Sequence, residues 1–426
     1  MRNKKKKEKL QFPAGFYWGA AGSAHQVEGG NVNDWSVWEK KNAGRLAREA
    51  RSRWRPWQQR KFPEMFREAN YISGQAADHY SRYEADFFLA KSLGHNAHRF
   101  CVEWSRIEPE CGRFDQKELN HYKAVVKALR KRGLEPFATL WHFSLPLWVA
   151  KNKGVMNRDF PAWFSRYAQK VVKSLGVEVK FYLTINEPEV LFLNAFWRRC
   201  WPGSTARRTP WNAWKYLKQL QKAHAAVYDK LKKLNPELKI SWANNLDSWQ
   251  SYNKQALGDR ISARFMEYFR NDYIFNLAKG KRDFVAVQNY FHNRASFPFK
   301  VRHQKEDVSD LGWGIYPPGI YLVLKRLNLD DGRGGKLPVY ITENGLADST
   351  DRKRARFIRD NLYWISRAID EGIDVRGYFY WSLTDNFEWD KGFWPRFGLV
   401  EVDYKTQERK ARGSAREYAK IIKDNS

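Results

Sequence analysis

One alternation runs the length of this chain. Short runs rich in β-branched and aromatic residues recur eight times, at "GFYWGAAGSA" from Gly15, "HNAHRFCVEW" (95–104), "EPFATLWHF" (135–143), "FYLTINEP" (181–188), "ISWANNL" (240–246), "DFVAVQNYF" (283–291), "PVYITENG" (338–345) and "VRGYFYWSL" (375–383). Between them lie stretches with apolar residues at three-to-four spacing, such as "SRYEADFFLAKSLG", "DQKELNHYKAVVKALRKRG" and "RKRARFIRDNLYWISRAIDEG", each stopped at a glycine. Strands separated by helices pair in parallel, and eight of them close most economically into a single-domain α/β barrel, (β/α)8. The alternative is an open doubly wound sheet, but no GxGxxG opens a helix after the first strand. The domain is expected over residues 12–426, preceded by a basic disordered tail, 1–11, and carrying a basic insertion at about 40–70.

Composition narrows the class. Hydrophobic residues make up 43% of the 426, with 20 Trp, which supports a large core and excludes a disordered chain. The three cysteines, Cys101, Cys111 and Cys200, suit a reducing compartment rather than a disulfide framework. The N-terminal "MRNKKKKEKLQFPAGF" lacks the apolar core of a secretory signal, and no run approaches 18 apolar residues, so the expectation is a cytoplasmic protein with no membrane partner. A net charge of +29 raises the question of nucleic acid. The charge is spread along the whole chain, however, and concentrates only in the tail and in 40–70, where ten Lys/Arg face three Asp/Glu. Polyanion binding is kept as a secondary property, and oligomerisation is left open.

Chemistry in such a barrel belongs at the C-terminal ends of the strands. Polar residues gather there: Gln26 after the first strand, Arg99 and Glu103 on the second, His142 on the third, Asn186 and Glu187 on the fourth, Tyr290 on the sixth, Glu343 on the seventh. A carboxylate closing an apolar strand is costly to ionise. Two of them, Glu187 and Glu343, can face one another across a mouth, as glycosidic cleavage requires. His95 and His98 have no companion cluster and read as core residues, so no metal is expected; "DDGRGGK" (330–336) lacks the spacing of a phosphate-binding loop.

At these residues the chain resembles glycoside hydrolase family 1, the retaining β-glycosidases. "FPAGFYWGAAGSAHQVEGG" is similar to the family's N-terminal signature, and "ADHYSRYEADFFLAKSLGHNAHRFCVEWSRIEPE" to its second-strand block. "TINEP" and "YITENG" resemble its two catalytic motifs, and "RGYFYWSLTDNFEWDKGFWPRFGLVEVDY" its C-terminal block. The resemblance covers roughly 12 to 424, with every block in order. It implies that Glu187 is the general acid/base and Glu343 the nucleophile, with Asn186 on the sugar 2-hydroxyl and Arg99 and Tyr290 on the nucleophile. Gln26, His142, Glu388 and Trp389 would bind the outer hydroxyls, with Trp381 as platform and Phe397 as wall. It implies a β-glucosidase-type hydrolase of small β-glycosides that needs no cofactor. A nucleophile beside a guanidinium is expected to have a depressed pKa, and the acid facing it a raised one. A carbohydrate-binding barrel without turnover is the alternative, although such chains usually lose one Glu.

Some positions depart from the family's pattern. Phe143 stands where Trp is usual, Gln288 where Asn is usual, and Thr384 where an apolar residue is usual. Segments 247–260 and 292–312 look like trimmed loops that open the mouth. Glu388 would repel a 6-phosphate, which argues against phosphorylated sugars.

Overall fold

All eight runs become strands of one parallel, closed barrel in the computed structural model, which describes residues 10–302, 307–327, 329–330 and 335–425. The barrel strands are β1 (Tyr17–Ala21), β2 (Ala97–Cys101), β3 (Glu135–Trp141), β4 (Phe181–Asn186), β5 (Lys239–Asn245), β7 (Val285–Gln288), β10 (Val339–Asn344) and β11 (Val375–Trp381). Around the barrel their order is β1-β11-β10-β7-β5-β4-β3-β2. The three further strands β6 (Ser248–Ser251), β8 (His292–Ser296) and β9 (Lys300–Arg302) form a separate sheet, and β12 (Val400–Val402) pairs with β13 (Arg409–Ala411). The fold is therefore the (β/α)8 barrel.

Alternation along each strand sorts the side chains into two layers. In β3, Ala138 and Leu140 face the helices in one core cluster, while Phe137 belongs to the cluster inside the barrel with Leu183, Ala243, Ala286 and Phe379. The lower end of the barrel is filled by aromatic rings. Phe137 stacks on Phe181 with centroids 4.2 Å apart, and Tyr17, Phe284, Tyr340 and Phe379 meet them edge-on or tilted. The seam where the chain's first and last barrel strands meet is covered by helix Gly413–Asp424, whose Tyr418 hydroxyl donates to Gly19 O on β1 or to Tyr378 O on β11, each at 3.2 Å.

The structure adds detail at three places. The ordered chain starts before residue 12: Leu10 packs on the core, and Gln11 exchanges two hydrogen bonds with Ser366, while residues 1–9 of the expected tail lie outside the described residues. The basic segment 40–70 is packed onto the barrel. Most of the first half lies in helix Asp34–Arg53, capped by Asn33 and buried along Trp35, Glu39, Ala43, Leu46, Ala47 and Ala50. The segment is tied to the barrel top by ion pairs Arg53–Asp390 and Lys61–Asp310. The segments read as trimmed loops carry β6, β8 and β9, a small sheet that prolongs the C-terminal side of β5 and β7. Of "DDGRGGK", residues 331–334 lie outside the described residues.

Candidate active site

β10 carries Glu343 to the mouth through a shift in register between Ile341 and Glu343, and β4 carries Asn186 through one between Leu183 and Asn186. Such irregularities re-aim a side chain at the rim of a barrel. Glu187 follows at once, in the left-handed backbone region (φ 42°) and directly before Pro188. A non-glycine residue held there is strained, and Phe143 (φ 73°) and Trp389 (φ 50°) are held likewise at the same mouth.

Glu343 is buried and has three hydrogen-bonding neighbours. Arg99 and Gln288 (2.6 Å) donate to Oε1, and the Tyr290 hydroxyl donates to Oε2 at 2.6 Å. Arg99 and Gln288 also both donate to Asn186 Oδ1, at 2.6 and 2.8 Å, so the two strand ends are locked together. Asn186 Nδ2 lies 3.0 Å from His142 Nε2. Burial, with Arg99 nearby, holds the His142 pKa well below that of a free imidazole, so the ring is neutral and its Nε2 accepts this bond. Asn245, at the end of β5, donates to Glu187 Oε1 at 2.6 Å.

The two carboxyls differ in their surroundings. Burial, then the charges of Glu343 and Glu189, push the Glu187 pKa well above the ordinary carboxylate range. Burial also raises Glu343, against the opposing pull of Arg99 and Tyr290. The expectation of a depressed value at Glu343 is thus corrected: removing a carboxylate from water outweighs one guanidinium here. The order survives, because the cations and donors cluster on Glu343 and the like charges act on Glu187.

A second group lies beside the pair. Gln26 Nε2 donates to Asn386 Oδ1 (3.0 Å), Phe387 O (2.9 Å) and Glu388 Oε2 (3.3 Å). Burial raises the Glu388 pKa to about 7. Trp381 (5.8 Å) and Trp389 (6.0 Å) flank the His142 ring, and Phe397 meets the Tyr290 ring edge-on at 6.4 Å. Phe143 fills the space between Trp389 and Trp201. The eleven residues named from sequence thus form one connected wall. Four buried polar atoms on that wall, Gln26 Oε1, His142 Nδ1, Asn245 Oδ1 and Gln288 Oε1, have no hydrogen-bond partner. Orphaned buried polar atoms are rare in native proteins, and a ring of them suits a hydroxyl-rich ligand.

Two of the nearest groups to the carboxyls were not foreseen as such. Gln288 bonds Glu343 directly, and Asn245 bonds Glu187; each ends a strand, which was the signal available. Tyr290 lies two residues beyond β7, not on it. Glu103, polar and at a strand end, instead braces Asn33, Ser105 and Ser144. His95 and His98 are buried core residues, and among the described residues no group of three or more His, Cys, Asp or Glu could hold a metal.

The profile of Glycosyl hydrolase family 1 matches residues 8–306 and 285–426. Beta-glucosidase A of Thermotoga maritima is 30% identical, over 97% of this chain and 98% of its own. A bifunctional beta-D-glucosidase/beta-D-fucosidase of Bifidobacterium breve is also 30% identical, over 97% and 99%. Among solved structures, the beta-glycosidase from Pyrococcus horikoshii superposes with a TM-score of 0.83 at 34% identity, covering 98% of this chain and 96% of the other. With the barrel, the paired carboxyls and these matches in hand, the chain belongs to glycosyl hydrolase family 1.

Proposed function

We propose that the protein is a retaining, exo-acting β-glycosidase. It removes terminal non-reducing β-D-glucosyl residues, and galactosyl or fucosyl residues as well, by double displacement. The observation that carries this reading is the asymmetry of the two carboxyls: donors converge on Glu343, while burial and like charge keep the proton on Glu187. In the first step the Glu343 carboxylate attacks the anomeric carbon as Glu187 protonates the departing glycosidic oxygen. The aglycone leaves and a glycosyl ester forms on Glu343. Once the bond to Glu343 forms, the like charge facing Glu187 is gone and its pKa falls. Glu187 then takes a proton from water, the water attacks the same carbon, and Glu343 is released.

The remaining wall has roles in this scheme. Asn186, fixed through Oδ1 by Arg99 and Gln288, offers its second Nδ2 hydrogen to the 2-hydroxyl. His142 Nδ1 and Gln26 Oε1, both unpartnered, meet the outer hydroxyls together with Glu388 and Trp389. Trp381 supplies an apolar face for the sugar ring.

Release of nitrophenol from p-nitrophenyl β-glucoside, with wild type and Glu343→Gln run side by side, is the test. The variant should lose several orders of magnitude in kcat, about 10⁴-fold or more, since a whole covalent step depends on that carboxylate. Proton NMR of the first sugar released should show the β-anomer. Release of the α-anomer would overturn the double displacement, and undiminished turnover by Glu343→Gln would overturn the assignment of the nucleophile.

A further inference from the structure

Beside the mouth, the helix Leu257–Glu267 turns an apolar stripe outward. Leu257, Ile261 and Phe265 recur at four-residue spacing, and Tyr268 continues the row. Phe297 and Phe299, from the turn between β8 and β9, extend it sideways. These six side chains are 47–65% exposed. They form one surface: the Phe265 and Phe299 rings lie 4.9 Å apart, and Phe297 crosses Gly258, where an added Cβ would meet Phe297 Cβ at 3.0 Å. The stripe is not a poorly packed core. The helix's inward side, Ala263 and Met266, already packs on Trp249 of β6 and Ala295 of β8. Exposed apolar surface of this extent marks a contact with something else.

The rim says what. Lys254, Arg260, Arg264, Lys300 and Arg302 are exposed, and none makes an ion pair among the described residues. Of the described acids nearby, Asp259 accepts from the Asn253 and Phe297 backbone, and Glu267 and Asp272 pair with Arg326. We propose that this face docks the protein on an anionic lipid surface, with the Phe, Ile and Leu side chains entering the headgroup layer and the five cations meeting lipid phosphates. Apolar rings within a basic rim are the recognised requirement for lying in a bilayer interface. A second copy is disfavoured, because pairing the face with itself brings two unneutralised cationic rims within a Debye length, in a chain of net charge +29. This helix does not cross the bilayer: it has 11 residues, roughly half the hydrocarbon thickness. β6 and β8 start three and four residues beyond the ends of β5 and β7, so the docking face and the mouth lie on the same side.

Co-sedimentation of the full chain with vesicles tests this, using phosphatidylglycerol mixed into phosphatidylcholine and phosphatidylcholine alone. Wild type should pellet with the mixed vesicles at low salt and release as salt rises. Ile261→Ser/Phe265→Ser/Phe297→Ser should lose at least about tenfold in partitioning. Arg260→Gln/Arg264→Gln/Lys300→Gln should lose on the order of a hundredfold, about fivefold per cation. Both variants should melt cooperatively and keep their turnover of nitrophenyl glycoside. Wild type remaining in the supernatant at low salt would overturn the proposal. So would equal binding by the apolar variant, since adsorption would then be charge alone. Concentration-dependent self-association in sedimentation velocity, lost in that variant, would assign the face to a second copy instead.

Discussion

The chemistry of the mouth rests on amides as much as on carboxyls. Gln288 donates to Glu343, and Asn245 to Glu187. Each donor favours the ionised form of its partner, so removing it raises that partner's pKa. In the proposed mechanism Glu343 must be ionised to attack, so Gln288→Leu should move the acidic limb of kcat/KM to higher pH. In the same mechanism Glu187 must be protonated to act as acid, so Asn245→Leu should move the basic limb to higher pH and leave the acidic limb in place. Full pH–rate profiles of the two variants check both directions at once. Glu388 adds a third term: its carboxyl, raised by burial to about 7, ionises as pH rises through neutrality, which should strengthen its acceptance of sugar hydroxyls and lower KM on that side. Glu388→Gln should abolish that change in KM while sparing the limbs of kcat.

Among the elements, the helix Asp34–Arg53 was the least legible from sequence. Its buried positions fall at helical spacing, but five of the seven are Ala, Ser or Glu, and the segment 40–70 carries ten Lys and Arg, so small side chains give a weak apolar signal against that charge. The sheet of β6, β8 and β9 was missed for another reason: its strands are three to five residues long and gain their order from helix Leu257–Glu267, not from their own pattern. The helix Asp34–Arg53 ends in Arg53, which pairs with Asp390, one residue after Trp389. Asp390 also accepts from Trp201 Nε1 at 2.9 Å and from Lys391, so its pKa is held low despite burial. Arg53→Met should cost about 1.5–3 kcal/mol, the range for a hydrogen bond to a charged group, read by denaturant unfolding. Because Asp390 is depressed in the folded state, that stability is present above the unfolded carboxylate pKa. It is lost as pH falls through the folded value, so the difference between Arg53→Met and wild type should shrink in acid. KM for the glycoside should rise in the same variant, since Glu388 and Trp389 hang on that tether.

For the whole molecule, the eight strands were readable because strand and helix periods alternate without interruption. The site was readable because a barrel places chemistry at strand ends, where Glu187, Glu343 and His142 break otherwise apolar runs. Which of several strand-end groups would touch depended on register shifts in β4 and β10, which no local pattern announces. Closure depends on the far end of the chain: Tyr418 spans the β1/β11 seam. Removing residues 413–425 should abolish the cooperative melt, whereas Tyr418→Phe should cost only about 1 kcal/mol and leave turnover intact. Differential scanning calorimetry distinguishes the two.

The stacked rings at the barrel's lower end have a kinetic consequence. Phe137, Phe181, Tyr340 and their neighbours cork the barrel, so a ligand in the well at its mouth leaves by the way it entered. On the proposed exo-acting reading, a chain of sugars enters it tip first and is shortened one unit at a time. The severed tip is held at the bottom, beneath the route by which the leaving group departs. Leaving groups therefore exit first and the freed sugar last, and any free sugar that falls back in before the next substrate arrives blocks the well. Accumulating monosaccharide should throttle turnover by competing with substrate, whereas accumulating aglycone should instead compete with water for the glycosyl ester.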